Sequence, residues 1–287
     1  MSNGERFFGS AREYEDKGYK IFGVRTGIDG LDELFWIYKV EDGKPKREVL
    51  KGIPYRAVVN VTGIPDTGKS LMAEQFAITQ ASLGYPVAFV TVETPPSFLV
   101  TTMKNKAELR GLNWDDISDN IIIIDAATKW RLRRNLETLK DTITRVHNEF
   151  QIKNLVIDSI TGLYEHEEPK ARMIVRELYD LAKSLLVTAM FISQKRSAHD
   201  EASAEAAGGY AVAHIVDCTI VVTKRSIETK YEAERYKKPI GEVVRLLRID
   251  GCRLCGHDTQ WHIMEITPEG FVKVGPSLSE LAQMSST

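Results

Sequence analysis

The chain is 287 residues long and has little of what marks several protein classes. Its three cysteines are too few for a disulfide scaffold. No apolar stretch is long enough for a membrane-spanning helix. Residues 1–12 are polar apart from one Phe pair and lack the apolar region of a secretory leader, so a cytoplasmic protein is expected. Basic residues are not in excess: 38 Lys and Arg stand against 40 Asp and Glu. The isoelectric point near 6.3 lacks the footprint of a dedicated DNA binder, although a local basic patch stays open. There is no repeat of a whole unit and no low-complexity tract. What is present, 43% hydrophobic residues over this length, suffices for one larger α/β domain with or without small appendages.

The most informative run is Gly63-Ile64-Pro65-Asp66-Thr67-Gly68-Lys69-Ser70, which fits the phosphate-loop pattern G-x-x-x-x-G-K-[ST] at every fixed position. Residues 57–62 before it are rich in β-branched side chains and read as a strand. From Leu71 to residue 83 the apolar spacing is helical. Strand, Gly-rich turn and helix is the context that separates a working loop from a chance match. The backbone N–H groups of such a loop, with the helix N-terminus, offer partial positive charge to a polyphosphate. Lys69 can reach the β- and γ-phosphates, and the Ser70 hydroxyl can ligate Mg²⁺. A nucleoside triphosphate held by residues Gly63 through Leu71 is therefore the expected ligand.

Strands and helices alternate from residue 57 onward. Strands are expected at 87–92, 121–124, 155–157 and 187–193, and helices at 96–110, 133–149 and 171–185. This pattern predicts an α/β fold with a mostly parallel sheet flanked by helices. After residue 214 the texture changes. Stretches 214–223, 242–249, 262–266 and 271–274 read as an antiparallel C-terminal extension. Residues 38–48 suggest an exposed loop or hairpin. The expected organisation is an arm at 1–20, one domain over 21–275 and a tail at 276–287.

A bound Mg²⁺ calls for a carboxylate opposite the phosphate loop. Asn154-Leu155-Val156-Ile157-Asp158 supplies one, an apolar run ending in Asp where open α/β sheets bind ligands. Glu93 follows the strand at 87–92 and can activate a water; capping the next helix is the other reading, and spacing does not choose. Gln194 ends the strand at 187–193. Sensing a γ-phosphate and forming a turn both fit it.

Thr26-Gly27-Ile28-Asp29-Gly30-Leu31-Asp32-Glu33-Leu34 resembles the T-G-I-x-G-L-D-E-L opening of KaiC-like ATPases in the RecA superfamily. The phosphate loop, Glu93, Val156-Ile157-Asp158-Ser159 and Phe191-Ile192-Ser193-Gln194 follow in that family's order. Gly208-Gly209-Tyr210-Ala211-Val212-Ala213-His214-Ile215-Val216-Asp217 is similar to a segment of RadA-type recombinases. The likeness runs from residue 22 to about 275 and is nearest to single-domain archaeal KaiC homologues. It implies a RecA-type P-loop NTPase core, ATP with Mg²⁺, Glu93 as general base and Gln194 as γ-phosphate sensor. It also implies a homo-oligomeric ring, usually a hexamer, in which a neighbour supplies positive charge. The family's Lys-x-Arg-Gly element matches Arg248-Ile249-Asp250-Gly251. Arg248 replaces the lysine as a cation, whereas Asp250 reverses the charge of the arginine. Asp66 is a second departure, where relatives carry Gly; its carboxylate is expected to point outward. Three functions follow from these residues: a regulatory ATPase with a protein partner, a recombinase paralogue acting on single-stranded DNA, and a non-hydrolysing nucleotide switch. Autophosphorylation is allowed by the likeness, with no obvious acceptor.

Weaker signals remain. Cys252-Arg253-Leu254-Cys255 is a C-x-x-C with His257 and His262 behind it, readable as a metal or redox pair or as a tight turn. The loop from Lys195 to residue 205 carries three acids, two bases and no aromatic residue, so nucleic acid is not favoured there. The basic residues Lys224, Arg225, Lys230, Arg235, Lys237 and Lys238 alternate with Glu228, Glu232 and Glu234, as on a solvated charged hairpin. The basic run Trp130-Arg131-Leu132-Arg133-Arg134 reads as the packed start of a helix.

Overall fold

The computed structural model describes residues 8–15, 19–165, 168–195 and 214–284. The loop at 196–205 and the block from Gly208 to Ala213 lie outside these residues, as do parts of the expected arm and tail.

The period-two burial of the first core strand sets the architecture. In β1 (Val58–Gly63), Val58 faces one core while Val59 and Val61 face the other. Every residue of this strand is buried, as a central strand covered on both faces requires. The parallel neighbours are β2 (Val87–Thr91), β3 (Ile121–Asp125), β4 (Asn154–Asp158), β5 (Thr188–Gln194) and β6 (Cys218–Ser226). Three antiparallel strands continue the sheet: β7 (Val243–Cys252), β8 (His262–Ile266) and β9 (Val272–Ser277). The nine-stranded order is β9-β8-β7-β6-β1-β5-β4-β2-β3. The expected mostly parallel sheet with an antiparallel extension is observed.

On one face lie α1 (Lys69–Ser82) and α2 (Pro96–Leu109), whose Met72, Phe76, Leu99 and Met103 join Val59, Phe89 and Ile192. On the other, α3 (Leu136–Phe150) and α4 (Ala171–Ser184) place Leu139, Ile143, Val175 and Leu178 on Val90, Ile157 and Phe191. The predicted helix at 133–149 is broken. Asn135 adopts an extended conformation and its side chain accepts from the Thr138 N–H at 2.9 Å, capping α3 and splitting off a short helix, Trp130–Arg134. Trp130 there is exposed rather than packed. The strand expected at 214–223 begins at Cys218, because Asp217 turns inward and accepts from the Val58 N–H at 2.8 Å. The charged stretch at 38–48 forms a hairpin of strands Phe35–Glu41 and Lys44–Val49. Between β6 and β7, the basic segment folds a helix, Lys230–Tyr236, closed by a Thr229–Glu232 capping box.

The Thr26–Leu34 motif is a structural clasp. The Thr26 N–H and hydroxyl donate to the Asp32 carboxylate, the hydroxyl at 2.6 Å. Asp29 bridges to Lys273 on β9, the last strand of the sheet, and its carbonyl accepts from the Val274 N–H at 2.8 Å. Gly30, at φ 79°, is needed there: a Cβ would come within 2.0 Å of the Val274 carbonyl oxygen. Gln75 of α1 grips the same strand, donating to and accepting from the Val272 backbone.

Candidate nucleotide site

Four parallel strands deliver their carboxyl ends to one rim. Gly63 pairs with Gln194, and Asp158 lies in register with Thr91 and Ile192. Between them opens a cleft of ≈ 450 Å³ lined by Pro65 to Leu71, Glu93, Asp158, Ser159 and Gln194, together with Arg245 and Ile266. The sequence-expected loop, carboxylates and glutamine are thus brought together; Arg248 is not among the lining residues.

The loop enters α1 through Gly68, which caps the helix at φ 92°. A Cβ at Gly68 would also press on Met264 and Ile266, so both geometry and space favour glycine. The Thr67 hydroxyl donates to the Ile64 carbonyl at 2.9 Å and the Lys69 ammonium donates to the same oxygen at 2.7 Å. Lys69 is 6% exposed. Among the described residues no carboxylate lies within ion-pair distance of it. Burial pulls its pKa down to about 8, against the pull of Asp158, Glu93 and Asp66. Asp158 is raised to about 6, chiefly by burial and further by Glu93 and Glu74, while the Ser70 hydroxyl bonded to it acts the other way. Glu93 is held by Ser159, whose hydroxyl donates to Oε1 at 2.6 Å. The Gln194 N–H donates to Thr161 Oγ1 at 2.9 Å. The oxygens of Ser70, Asp158 and Glu93, set beside the Lys69 ammonium, form a donor set of the kind that suits a hard divalent ion and a polyphosphate.

Asp66 has a left-handed φ of 60° and an outward side chain, 85% exposed, as expected. Its Oδ2 lies 3.3 Å from the Lys224 ammonium, which offsets its charge near the loop. Sequence reasoning missed Lys224 and Arg245 as neighbours of the site. They are register partners on β6 and β7, two residues beyond Val222, which pairs with Gly63. Counting that register was the only available signal. Both also line a second cleft of ≈ 640 Å³, with Ile64, Arg225, Glu228 and Glu232.

Arg248 stacks on Trp261, 4.8 Å from the ring centre, and is ion-paired to Asp250 of its own chain. Asp250 is the extra residue of a β-bulge: Thr219 pairs with Gly251 and Ile220 with Ile249, leaving it unpaired.

A P-loop, a carboxylate-tipped strand one place beyond its neighbour β5, and this strand order define a RecA-type nucleotide-binding fold. A family profile described as "ATPase: KaiC" matches residues 24–279, and the chain belongs to that family. Relatives described as UPF0273 proteins are similar to it. One from Thermotoga maritima is 29% identical over 263 residues, covering 87% of this chain and 94% of that protein. One from Sulfurisphaera tokodaii is 29% identical over 270 residues, covering 88% and 82%. The crystal structure of a KaiC-like protein from Pyrococcus horikoshii superposes with a TM-score of 0.66 at 25% identity, covering 90% of this chain and all of that one. Among the described residues no helix is long and apolar enough to cross a membrane.

Proposed function

We propose that this ATPase-family chain binds ATP with Mg²⁺, hydrolyses it, and uses the cycle to change the assembly of a homo-oligomeric ring, hexameric in the family pattern, or its affinity for a protein partner. The observation that carries this reading is the buried Lys69 ammonium, which among the described residues has a loop carbonyl as its hydrogen-bond partner and faces the Ser70–Asp158 and Glu93–Ser159 pairs. An unpaired buried cation is costly and is retained where a ligand completes it. Residues Gly63 to Leu71 wrap the phosphates and Lys69 neutralises the β- and γ-groups. Ser70 and Asp158 would hold Mg²⁺, which would supply positive charge to the phosphate oxygens. Glu93, steadied by Ser159, takes the proton of the attacking water. Gln194 sits at the end of β5 where it can report the γ-phosphate. Arg248 serves a neighbouring subunit once released from Asp250. The acting unit is the domain at 21–275.

The decisive experiment measures phosphate release and particle size together, with and without ATP–Mg²⁺. Turnover that disappears in Lys69→Ala, with nucleotide-dependent sizing, supports the proposal. Unchanged hydrolysis by that variant refutes the site assignment. The Arg248–Asp250 pair favours one second reading, a nucleotide switch with little hydrolysis. A single-turnover assay separates the two, because a switch binds ATP and leaves it intact.

A further inference from the structure

All three cysteines of the chain converge, although Cys218 is distant in sequence from the other two. Cys218 opens β6 and Cys252 closes β7, and the two are direct partners in the antiparallel ladder. The turn after β7 returns Cys255, whose sulfur lies 3.5 Å from that of Cys252. The turn is anchored on both sides. The Arg253 N–H donates to the Asp217 carbonyl at 2.9 Å. Gly256 lies flat on Trp36, where a Cβ would come within 2.4 Å of Nε1. Cys218 is buried, whereas Cys252 and Cys255 are only partly covered. The cluster is at the far end of the sheet from the phosphate loop: Cys218 is in register with Val59, and β1 reaches the loop only at Gly63. Among the described residues no three His, Cys, Asp or Glu side chains are placed to hold a metal ion.

We infer that Cys252, Cys255 and Cys218 form a thiol–disulfide exchange site whose substrate is a small-molecule or peptide disulfide. Cys252 is the attacking sulfur. Its sulfur touches those of Cys218 and Cys255 and the backbone N–H groups of residues 254 and 255, contacts that hold its pKa below the ordinary thiol range. The same contact, and then burial, push Cys218 up, so it remains a thiol. In the first step the Cys252 thiolate attacks R–S–S–R, forming a mixed disulfide and releasing RS⁻. In the second, the Cys255 sulfur attacks Cys252, its proton passing to solvent or to the departing thiolate, and a second RS⁻ leaves. Two protein thiols are oxidised and one external disulfide is reduced to two thiols, so electrons balance. Cys255 is the resolving residue; Cys218 positions and stabilises the thiolate.

The test treats the full-length reduced protein with glutathione disulfide, alkylates with N-ethylmaleimide and maps the products by intact and peptide mass. Reversible loss of labelling at Cys252 and Cys255 together is expected. Cys255→Ser should accumulate one glutathione on Cys252, Cys252→Ser should react at neither position, and Cys218→Ala should form the bond roughly tenfold more slowly. The trapped Cys255→Ser adduct stands even if Cys252→Ser fails to fold. The assignment falls if the native protein stays fully alkylatable at every glutathione ratio, or if a folded Cys252→Ser forms the adduct at Cys255. It also falls if stoichiometric Zn²⁺ protects all three sulfurs from exchange. An unchanged rate in Cys218→Ala overturns the role given to that thiol.

Discussion

Lys69 and Lys106 are buried to nearly the same degree, 6% and 7% exposed, yet the protein treats them differently. Lys106 of α2 meets the Glu74 carboxylate of α1 at 2.5 Å, and Glu74 takes a further hydrogen bond from Thr102. Lys69 donates to a carbonyl of its own loop, and among the described residues no carboxylate lies within ion-pair distance of it. A buried charge with a counter-charge ties two helices together. A buried charge without one leaves its electrostatic work undone until something arrives. That difference marks the candidate nucleotide cleft on electrostatic grounds, apart from the spacing of the loop motif.

The sharpest way to break the comparison is Lys106→Met, which strands Glu74. A loss of about 3–5 kcal/mol in denaturant unfolding is expected, recovered in large part by the double variant with Glu74→Leu. If the single change is neutral, the pair is not structural. Next comes Lys69→Met. Phosphate release should drop roughly 10²–10³-fold, about 3–4 kcal/mol of transition-state stabilisation. Its stability should instead rise at pH 7, by about 1–3 kcal/mol. The sign follows from the lowered pKa. Keeping Lys69 charged costs the folded state below about pH 8, and the cost fades as pH climbs toward the ordinary lysine value. A gain that vanishes in alkaline melts is the signature to look for.

Asp158 gives a smaller effect of opposite pH direction. Its folded pKa of about 6 exceeds the ordinary value of 3.8, so the folded chain holds the proton more tightly and stability falls as pH rises through that window. Asp158→Asn should match the parent near pH 4 and exceed it by about 1–3 kcal/mol at pH 7 in urea titrations. Equal gaps at both pH values would show that the carboxylate is not desolvated. Smallest is Asp66→Gly. Relief of a left-handed non-glycine backbone opposes loss of the Lys224 pair, so the change in unfolding free energy should stay within about 1 kcal/mol and vary with salt.

Much of the site was legible because its parts are local. The run from Gly63 to Ser70 encodes turn, cap and charge within eight residues, and Asp158 announces itself as the polar end of an apolar strand. Ser159 was in view but its partner was not, since a hydrogen bond to Glu93 depends on β2 and β4 lying side by side. Lys224, Arg245 and the gathering of Cys218 with Cys252 come from register between strands distant in sequence, which no local pattern carries. The split before α3 turned on one residue, Asn135, whose preference for capping outweighed the apolar period around it. Asp250 read as a reversed charge in a family element. Its partner became visible only with the bulge that leaves it unpaired in the ladder and the Arg248 salt bridge.

The last strand, β9, carries one more consequence. Its outer backbone is already spoken for: Gln75 occupies both polar groups of Val272, Asp29 takes the Val274 N–H, and Pro276 has none to give. A foreign strand approaching this border finds no row of donors to zip onto. Fibril-like growth and donor-strand exchange are closed off at that edge, so copies of this chain that meet there must recognise one another through side chains and not by extending a common sheet.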